Sequence, residues 1–157
     1  MIHLRVLAPD EWQLWRELRL AALEESPTVF GSSLKDWQGD GDREERWRQR
    51  LMSVPFNCVA YVEGKPAGMV SGGWNGHDVE LLSLWVAPHA RGRGVGEKLV
   101  ESVMAWARDQ QASHIVLSVR DHNAPAISLY CRHGFHATGP SPESDPGMPE
   151  TLFKRPM

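Results

Sequence analysis

The feature that most constrains the fold runs from residue 79 to residue 107, where a strand, a glycine-rich turn and a helix follow one another directly. Residues 79–86 are mostly apolar and stop short of Pro88, whose missing amide ends sheet pairing. Beyond the turn, apolar residues recur near the 3.6-residue helical period, at Val95, Leu99, Val103, Trp106 and Ala107. The pattern predicts a strand that passes into a helix through a turn with three glycines.

The three glycines of this turn are Gly92, Gly94 and Gly96. Glycine lets the backbone adopt positive φ and approach a ligand with no Cβ in the way. The unused amides of the first helical turn, together with the positive end of the helix dipole of about half a charge, then form an anion site. Arg91 and Arg93 add positive charge to it. A pyrophosphate is the expected occupant.

Two commoner phosphate loops do not fit this turn. Glu97 follows where the dinucleotide fingerprint needs its final glycine, and no Gly-Lys-Ser/Thr follows either. Residues 91–96 resemble instead the coenzyme A loop of the GNAT acetyltransferase superfamily, whose pattern is Gln/Arg-x-x-Gly-x-Gly/Ala. Taken alone, the match leaves open a glycine-rich turn that merely packs helix against sheet.

A second motif lies about 30 residues further on, after one predicted helix and one predicted strand. Residues 123–135 read Asn-Ala-Pro-Ala-Ile-Ser-Leu-Tyr-Cys-Arg-His-Gly-Phe. This is similar to the second GNAT signature, Asn-x-x-Ala-x-x-Leu-Tyr-x-x-x-Gly-Phe, at every constrained position. Because two motifs in this order and spacing rarely agree by chance, the chain resembles the GNAT superfamily.

Composition bounds the other possibilities. The 157 residues are 41% hydrophobic and 24% charged, as in a globular protein, and we expect residues 1–157 to form one domain. A net charge of −3 argues against a nucleic-acid partner. Neither a leader peptide nor an apolar segment of about 18 residues is found, so we expect a cytoplasmic protein without a membrane partner. No cluster has metal-ligand spacing, so no metal is expected.

The remaining elements are predicted from periodicity, caps and turns. Strands are predicted over 2–6, 56–62, 67–71, 114–119, 135–138 and 151–154, and helices from an N-cap at Asp10, from a capping arrangement at Asp42 and from an N-cap at Asn123, the last ending at Gly134. The strand at 114–119 should run parallel to the strand at 79–86, because a helix joins them. These elements predict the α/β fold class, and the resemblance implies a GNAT fold with a mixed six- to seven-stranded central sheet flanked by about four helices.

The resemblance implies acyl transfer from acetyl-CoA, as co-substrate, to a primary amine. It places the pyrophosphate on the amides of Arg91, Gly92, Arg93, Gly94, Val95 and Gly96. Backbone groups around Leu84, Trp85 and Val86 are expected to pair with the pantetheine arm, with Asn123 close to the same arm.

Such a reaction needs a base, since an amine with a pKa of ~10.4 is mostly protonated at pH 7. Glu80 is the candidate, as the only acid on the predicted strand; the alternative is a solvent-facing glutamate, and a bulge that shifts side-chain parity would remove the assignment. By resemblance, Tyr130 protonates the departing thiolate, with packing alone as the alternative. The amide of Leu84 is a candidate for the oxyanion. Cys58 and Cys131 are expected to be free thiols and not nucleophiles.

The acceptor is expected to be a small amine: an amino acid, a polyamine or an amine antibiotic. Protein lysines or N-terminal amines, and a non-catalytic acyl-CoA sensor, are the alternatives. Phe30 lies in an aromatic loop that either binds substrate or packs in the core. The oligomeric state stays open, with a homodimer as one option because many family members pair.

Two charged segments are assigned no partner. Arginines alternate with acids over residues 43–50, which is typical of a solvated helix face. The acids of the segment before the last strand, Glu143, Asp145 and Glu150, would attract a cationic acceptor, but a solvated loop is the favoured interpretation.

Overall fold

The computed structural model describes residues 1–27 and 34–157, so Phe30 lies outside the described residues. Within those ranges the chain forms seven strands and four α-helices. The strands are β1 (Ile2–Val6), β2 (Phe56–Val62), β3 (Lys65–Asn75), β4 (Asp78–Val86), β5 (His114–Arg120), β6 (His136–Pro140) and β7 (Glu150–Pro156). The helices are α1 (Trp12–Glu25), α2 (Glu44–Ser53), α3 (Val95–Asp109) and α4 (Ala124–Arg132).

The strands form a single mixed sheet in the order β1-β2-β3-β4-β5-β7-β6. The described pairings are antiparallel except that of β4 with β5, which are parallel and joined by α3, as predicted. The predicted fold class is confirmed.

The parallel pair β4–β5 is short. Only Val79 with Ile115 and Glu80 with Val116 are paired, although β4 continues to Val86 and β5 continues to Arg120. The two strands therefore diverge, and the edge of β4 beyond Glu80 has no strand beside it on the β5 side. This opening positions the candidate site.

The sheet separates two hydrophobic cores. Alternate residues of β2 show the division, since Cys58 and Ala60 belong to one core and Val59 to the other. The larger core contains the apolar faces of α3 and α4. The smaller core contains Trp15 of α1 and Trp47 of α2, both fully buried.

A β-bulge interrupts β4. The register with β3 shifts so that two residues, Ser83 and Leu84, stand opposite the single residue Val70. Ser83 has φ of +58°, in the left-handed region that few non-glycine residues occupy. The bulge thus lies beyond Glu80, three residues further along the strand.

Side-chain parity changes across this bulge. Val79 and Leu81 belong to the larger core, and beyond the bulge Leu84 and Val86 pack against that same core. Trp85 belongs to the smaller core on the other face. Strand side chains alternate between the two faces with a period of two. Without the extra residue, Leu84 would therefore face the smaller core, on the side of the sheet where Trp85 now lies.

Two predicted helix caps are wrong. Asp10 lies inside a 3-10 turn (Pro9–Glu11), and α1 starts after it without a side-chain cap. The Asp42 carboxylate does not cap α2; it accepts hydrogen bonds from Arg16 Nε at 2.7 Å and from Trp47 Nε1 at 2.8 Å. The same carboxylate forms an ion pair with Arg16 of α1, and no local sequence pattern shows this.

Candidate active site

The turn between β4 and α3 has the backbone geometry of an anion site. Gly92 and Gly94 have φ of +77° and +85°, and Gly94 is the N-cap residue of α3. The first helical hydrogen bond is donated by Lys98 to the Gly94 carbonyl, at 3.2 Å. The amides of Val95 and Gly96 are therefore not used within the helix and stand at its positive end.

Gly96 serves packing rather than backbone conformation. A Cβ on this residue would lie 3.1 Å from Leu129 Cδ2 and 3.8 Å from Val86 Cγ2. The absence of a side chain here lets the first turn of α3 approach α4 and the end of β4. The three glycines of the motif thus meet two separate requirements.

A cleft of about 560 Å³ extends from this turn along the end of β4 to α4. Its lining includes nearly all the residues predicted to contact the cofactor: Leu84, Trp85, Val86, Arg91, Gly92, Gly94, Val95, Gly96 and Asn123. Arg93 is not among the lining residues. Its guanidinium lies 3.9 Å from the carboxylate of Glu63, in the turn between β2 and β3.

Glu25, the last residue of α1, binds two residues that line this cleft. Its Oε1 accepts hydrogen bonds from Trp85 Nε1 at 3.0 Å and from Arg91 Nη2 at 2.5 Å, while Arg91 Nε donates to the Val86 carbonyl at 3.0 Å. Hydrogen bonds from Ser26, Trp85 and Arg91 lower the pKa of Glu25 to about 2. Arg91 is thereby held in place beside the glycines. Sequence analysis missed Glu25, for which no local motif exists.

Arg132 adds a second cation to the cleft. It comes from α4 and donates to Glu97 of α3 at 2.7 Å and to Ser128 at 2.9 Å. It occupies an unconstrained position of the second motif, which is why the motif did not indicate it.

A second cavity of about 300 Å³ lies at the opening between β4 and β5 and contains both predicted catalytic residues, Glu80 and Tyr130. It shares Leu84, Asn123 and Ala126 with the larger cleft. The two cavities therefore meet at the bulge of β4 and the first turn of α4.

Glu80 is half-buried in the smaller cavity. Burial, with a further contribution from the charge of Glu143, raises the pKa of its carboxyl group above the ordinary value. The prediction that it is the only acid on its strand is wrong, since β4 begins at Asp78. The Asp78 carboxylate, however, lies 3.3 Å from His114 and 3.8 Å from Lys154, so it is already paired.

Tyr130 is buried, and its ring packs against Phe135 at 5.8 Å between centroids. Burial raises the pKa of its phenol, which stays protonated at neutral pH and able to donate. Asn123 caps α4 by accepting a hydrogen bond from Ala126 N at 3.3 Å, as predicted. Gly134, with φ of +85°, follows the end of the helix, also as predicted.

The smaller cavity also contains charged residues that sequence analysis did not assign to a site. Arg19 of α1 and Arg50 of α2 line it together with Glu143 and Glu150. The interpretation of residues 43–50 as a solvated face is wrong for Arg50, which is partly buried and lines this cavity. The solvated-loop interpretation is wrong for Glu150, which is 8% exposed at the start of β7.

Both cysteines are free, as expected; Cys58 is buried, whereas Cys131 is exposed. In residues 1–27 and 34–157, no three or more histidine, cysteine or acidic side chains come together as a metal site. Over the same ranges, no helix combines the length and apolarity needed to cross a membrane.

Comparison with known families gives one assignment. The model of the family described as acetyltransferase (GNAT) matches residues 12–135. That range includes the glycine turn, the bulge and all of α4.

Curated relatives match shorter stretches. A mycothiol acetyltransferase of Acidothermus cellulolyticus is 40% identical over 82 residues, which is 50% of this chain and 25% of that protein. A streptothricin acetyltransferase of Streptomyces lavendulae is 39% identical over 66 residues, 42% of this chain and 34% of that protein. The chain thus spans about a quarter to a third of the length of these relatives.

Solved structures match over more of the fold. An acetyltransferase of the GNAT family from Streptococcus pneumoniae superimposes with a TM-score of 0.80 at 19% identity, covering 100% of this chain and 99% of that one. A nourseothricin acetyltransferase has a TM-score of 0.58 at 32% identity over 64% of each chain.

Proposed function

The chain belongs to the acetyltransferase (GNAT) family, and from this premise we propose that residues 1–157, as a single domain, transfer an acetyl group from acetyl-CoA to the primary amine of a small molecule. The observation that carries the proposal is the junction of the two cavities. The smaller cavity holds a half-buried carboxylate and a protonated phenol, and it meets the larger cleft at Leu84, Asn123 and Ala126.

The larger cleft suits acetyl-CoA as co-substrate. The unused amides from Gly94 to Gly96 and the cations Arg91 and Arg132 provide donors and positive charge for a pyrophosphate. The edge of β4 that β5 leaves unpaired offers main-chain groups around Leu84 to the amides of the pantetheine arm. A paia N-acetyltransferase from Thermoplasma acidophilum with the same fold was solved in complex with coenzyme A, which agrees with this use of the cleft.

In the proposed reaction, the acceptor ammonium gives one proton to Glu80, directly or through water. The free amine attacks the thioester carbonyl carbon, the carbon–sulfur bond breaks, and the thiolate takes a proton from Tyr130. The second proton lost by the nitrogen replaces the one that left Tyr130, and Glu80 releases its own to solvent. The products are an amide and a free thiol. The raised pKa of Glu80 suits a base that works near neutral pH.

A small acceptor is favoured by the size of the cavity. A volume of about 300 Å³ is that of a small-molecule site rather than of a protein docking surface. The relatives named for mycothiol, thialysine and streptothricin acetylation are consistent with this choice.

Thiol release from acetyl-CoA across an amine panel tests the proposal. The panel contains amino acids, polyamines, amine antibiotics and lysine peptides. We expect release with a small amine, and a loss in kcat on the order of 10²-fold to 10⁴-fold for Glu80→Gln, because general base catalysis contributes that much. Acetyl-CoA affinity should stay within about twofold, since the base does not hold the cofactor.

Glu17→Gln is the matched control, because Glu17 is an exposed glutamate of α1 outside both cavities. It should leave kcat unchanged. Unchanged turnover in Glu80→Gln would remove Glu80 from the reaction. Release with lysine peptides alone would replace the small acceptor by a protein, and tight binding of acetyl-CoA without release from any amine would favour a sensor.

A further inference from the structure

Two guanidinium groups from different helices reach the same small cavity. Arg19 of α1 is 9% exposed, and Arg50 of α2 is partly buried beside the bulge of β4. They are close enough for the charge of Arg50 to affect the titration of Arg19. Two enclosed cations in one cavity create a strongly positive region at one part of its wall.

The partners of Arg50 leave its charge without a counter-ion. Its guanidinium donates to Asn57 Oδ1 at 3.1 Å, to Ser71 Oγ at 3.1 Å and to Ser83 Oγ at 3.4 Å. The ring of Trp15 lies 5.1 Å from its central carbon. All four partners are neutral, and no carboxylate within the described ranges forms an ion pair with it. The left-handed backbone of Ser83 belongs to the bulge that brings this hydroxyl into the contact.

This arrangement differs from that of other arginines in the molecule. The arginines of the cofactor cleft, Arg91 and Arg132, are each paired with a glutamate, and Arg16 is paired with Asp42. Burial lowers the pKa of Arg50 to about 10, so it remains charged at neutral pH. A buried charge is costly unless it is paired, which makes this position favourable for an anion supplied by a ligand.

Other residues of the same cavity are acidic. Glu80 comes from β4, Glu150 from the start of β7, and Glu143 from the segment between β6 and β7. A ligand that carries an ammonium and an anionic group within a few bonds of one another would place its ammonium against the acidic residues and its anionic group against the arginines. A polyamine would leave the charge of Arg50 without a counter-ion.

We propose that the acceptor is a small amine that also carries a carboxylate, as an amino acid does, and that Arg19 and Arg50 bind this carboxylate while the amine faces Glu80. The planar guanidinium fork suits bidentate binding of a carboxylate. The proposal rests on the proposed acetyl transfer and names the acceptor class for the same site.

The first test uses matched substrate pairs with the unaltered protein. Each pair is an amino acid and the amine formed by its decarboxylation, such as lysine with cadaverine or leucine with 3-methylbutylamine, and aminoalkyl phosphonates form a third arm. We expect kcat/KM to favour the carboxylate in the accepted pair by about 100-fold or more, since removing one partner of a buried ion pair leaves the other charge unpaired. Equal or better turnover of the decarboxylated amines would overturn the inference and leave the proposed function intact. A higher kcat/KM for the aminoalkyl phosphonate than for the amino acid would overturn the carboxylate assignment in favour of an acceptor with a phosphate-like group.

The second test uses variants. In Arg19→Gln and Arg50→Lys, we expect the preference for the carboxylate to fall at least tenfold, through the KM of the acceptor, with the KM of acetyl-CoA within about twofold. Arg48→Gln is the matched control on α2, because Arg48 pairs with Glu44 and Asp10 away from the cavity, and it should keep the preference. A retained preference in both cavity variants would overturn the assignment of these residues.

A readout without turnover separates the two proposals. The N-acetylated amino acid is titrated calorimetrically into the protein saturated with coenzyme A. Binding that weakens about tenfold in Arg19→Gln supports the carboxylate site even if no amine of the panel is acetylated, in which case the proposed function alone fails. If the N-acetylated amino acid does not bind while an amine without a carboxylate is acetylated, the carboxylate site is contradicted and the proposed function is not.

Discussion

Glu80 takes its chemical properties from residues that are distant in the sequence. Its carboxyl group is half-buried on β4, and the charge that acts on it is that of Glu143, in the segment before β7. Both burial and a like charge disfavour the ionised form, so both raise its pKa. A raised pKa makes a carboxylate a stronger base, which suits the proposed role of Glu80 as acceptor of a proton from an ammonium group.

Replacing Glu143 should therefore change the pH dependence of the reaction. The proposed base works only when deprotonated, so kcat/KM rises as the pH increases through the pKa of Glu80. In Glu143→Gln, loss of the like charge lowers that pKa, and we expect the acidic limb of the profile to move to lower pH.

Asp145→Asn is the control for this shift, because Asp145 is an exposed acid of the same segment that does not line the cavity. The measurement is kcat/KM as a function of pH for the unaltered protein, Glu143→Gln and Asp145→Asn. An unmoved limb in Glu143→Gln would show that Glu143 does not act on the base.

At the scale of elements, the turn before α3 combines a backbone requirement with the proposed binding of the cofactor. Gly94 occupies the left-handed region as the N-cap of α3, with open space where a Cβ would be. Gly76, in the turn between β3 and β4, has a similar φ of +65° and equally open surroundings. Gly94 and Gly76 therefore both need a left-handed backbone, but only Gly94 lies beside the larger cleft.

Alanine substitutions at these glycines should separate strain from function. We expect Gly94→Ala and Gly76→Ala each to lose about 1 kcal/mol in the free energy of unfolding, the usual cost of a left-handed non-glycine residue. Only Gly94→Ala should raise the KM for acetyl-CoA, by roughly 10-fold to 100-fold, because a displaced amide loses a charge-assisted hydrogen bond. Chemical denaturation and saturation kinetics measure the two effects. Equal KM values in the two variants would exclude the turn from cofactor binding.

At the scale of the whole molecule, two cores on opposite faces of the sheet serve different parts of the site. The larger core supports α3 and α4, which frame the larger cleft, and the smaller core supports α1 and α2, which carry Arg19 and Arg50 of the smaller cavity. Asp42 joins the two helices of the smaller core, since it accepts hydrogen bonds from Arg16 of α1 and from the indole of the fully buried Trp47 of α2.

We expect Asp42→Ala to lower the free energy of unfolding by about 1–3 kcal/mol, because it leaves the buried indole nitrogen without an acceptor. The hydrogen bonds from Arg16 and Trp47 lower the pKa of Asp42 from 3.8 to about 2. A depressed folded-state pKa stabilises the protein above the unfolded value, so the contribution is complete above pH 3.8 and is lost as the pH falls through about 2.

Urea denaturation of Asp42→Ala across that pH range measures the difference. The nearby exposed Asp40, substituted as Asp40→Ala, is the control and should unfold like the unaltered protein. A constant difference between Asp42→Ala and the unaltered protein down to pH 2 would contradict the assigned ion pair.

Local sequence patterns were sufficient for much of the fold and for the local structure at the centre of the candidate site. The strand, glycine turn and helix between residues 79 and 107, the Asn123 cap and the turn at Gly134 were all predicted correctly. Their signals, which are apolar periodicity, side-chain caps and positive φ at glycine, act between residues within a few positions of one another. The same short range explains why two caps failed, since Asp10 and Asp42 have capping residue types but different partners in space.

What the sequence determined by itself is therefore the order of elements, the glycine turn at the start of α3, and the presence of Glu80 and Tyr130 on elements that meet. What only the tertiary structure decided is which charges surround them. Glu25 binds Arg91 across 66 positions of the chain, and Arg50 reaches Ser83 across 33. The sequence around Arg50 is equally compatible with an exposed helix face. Its burial is decided by the packing of α2 against the sheet. The physical reason is that desolvation and charge pairing depend on distance in space, which a single sequence does not record.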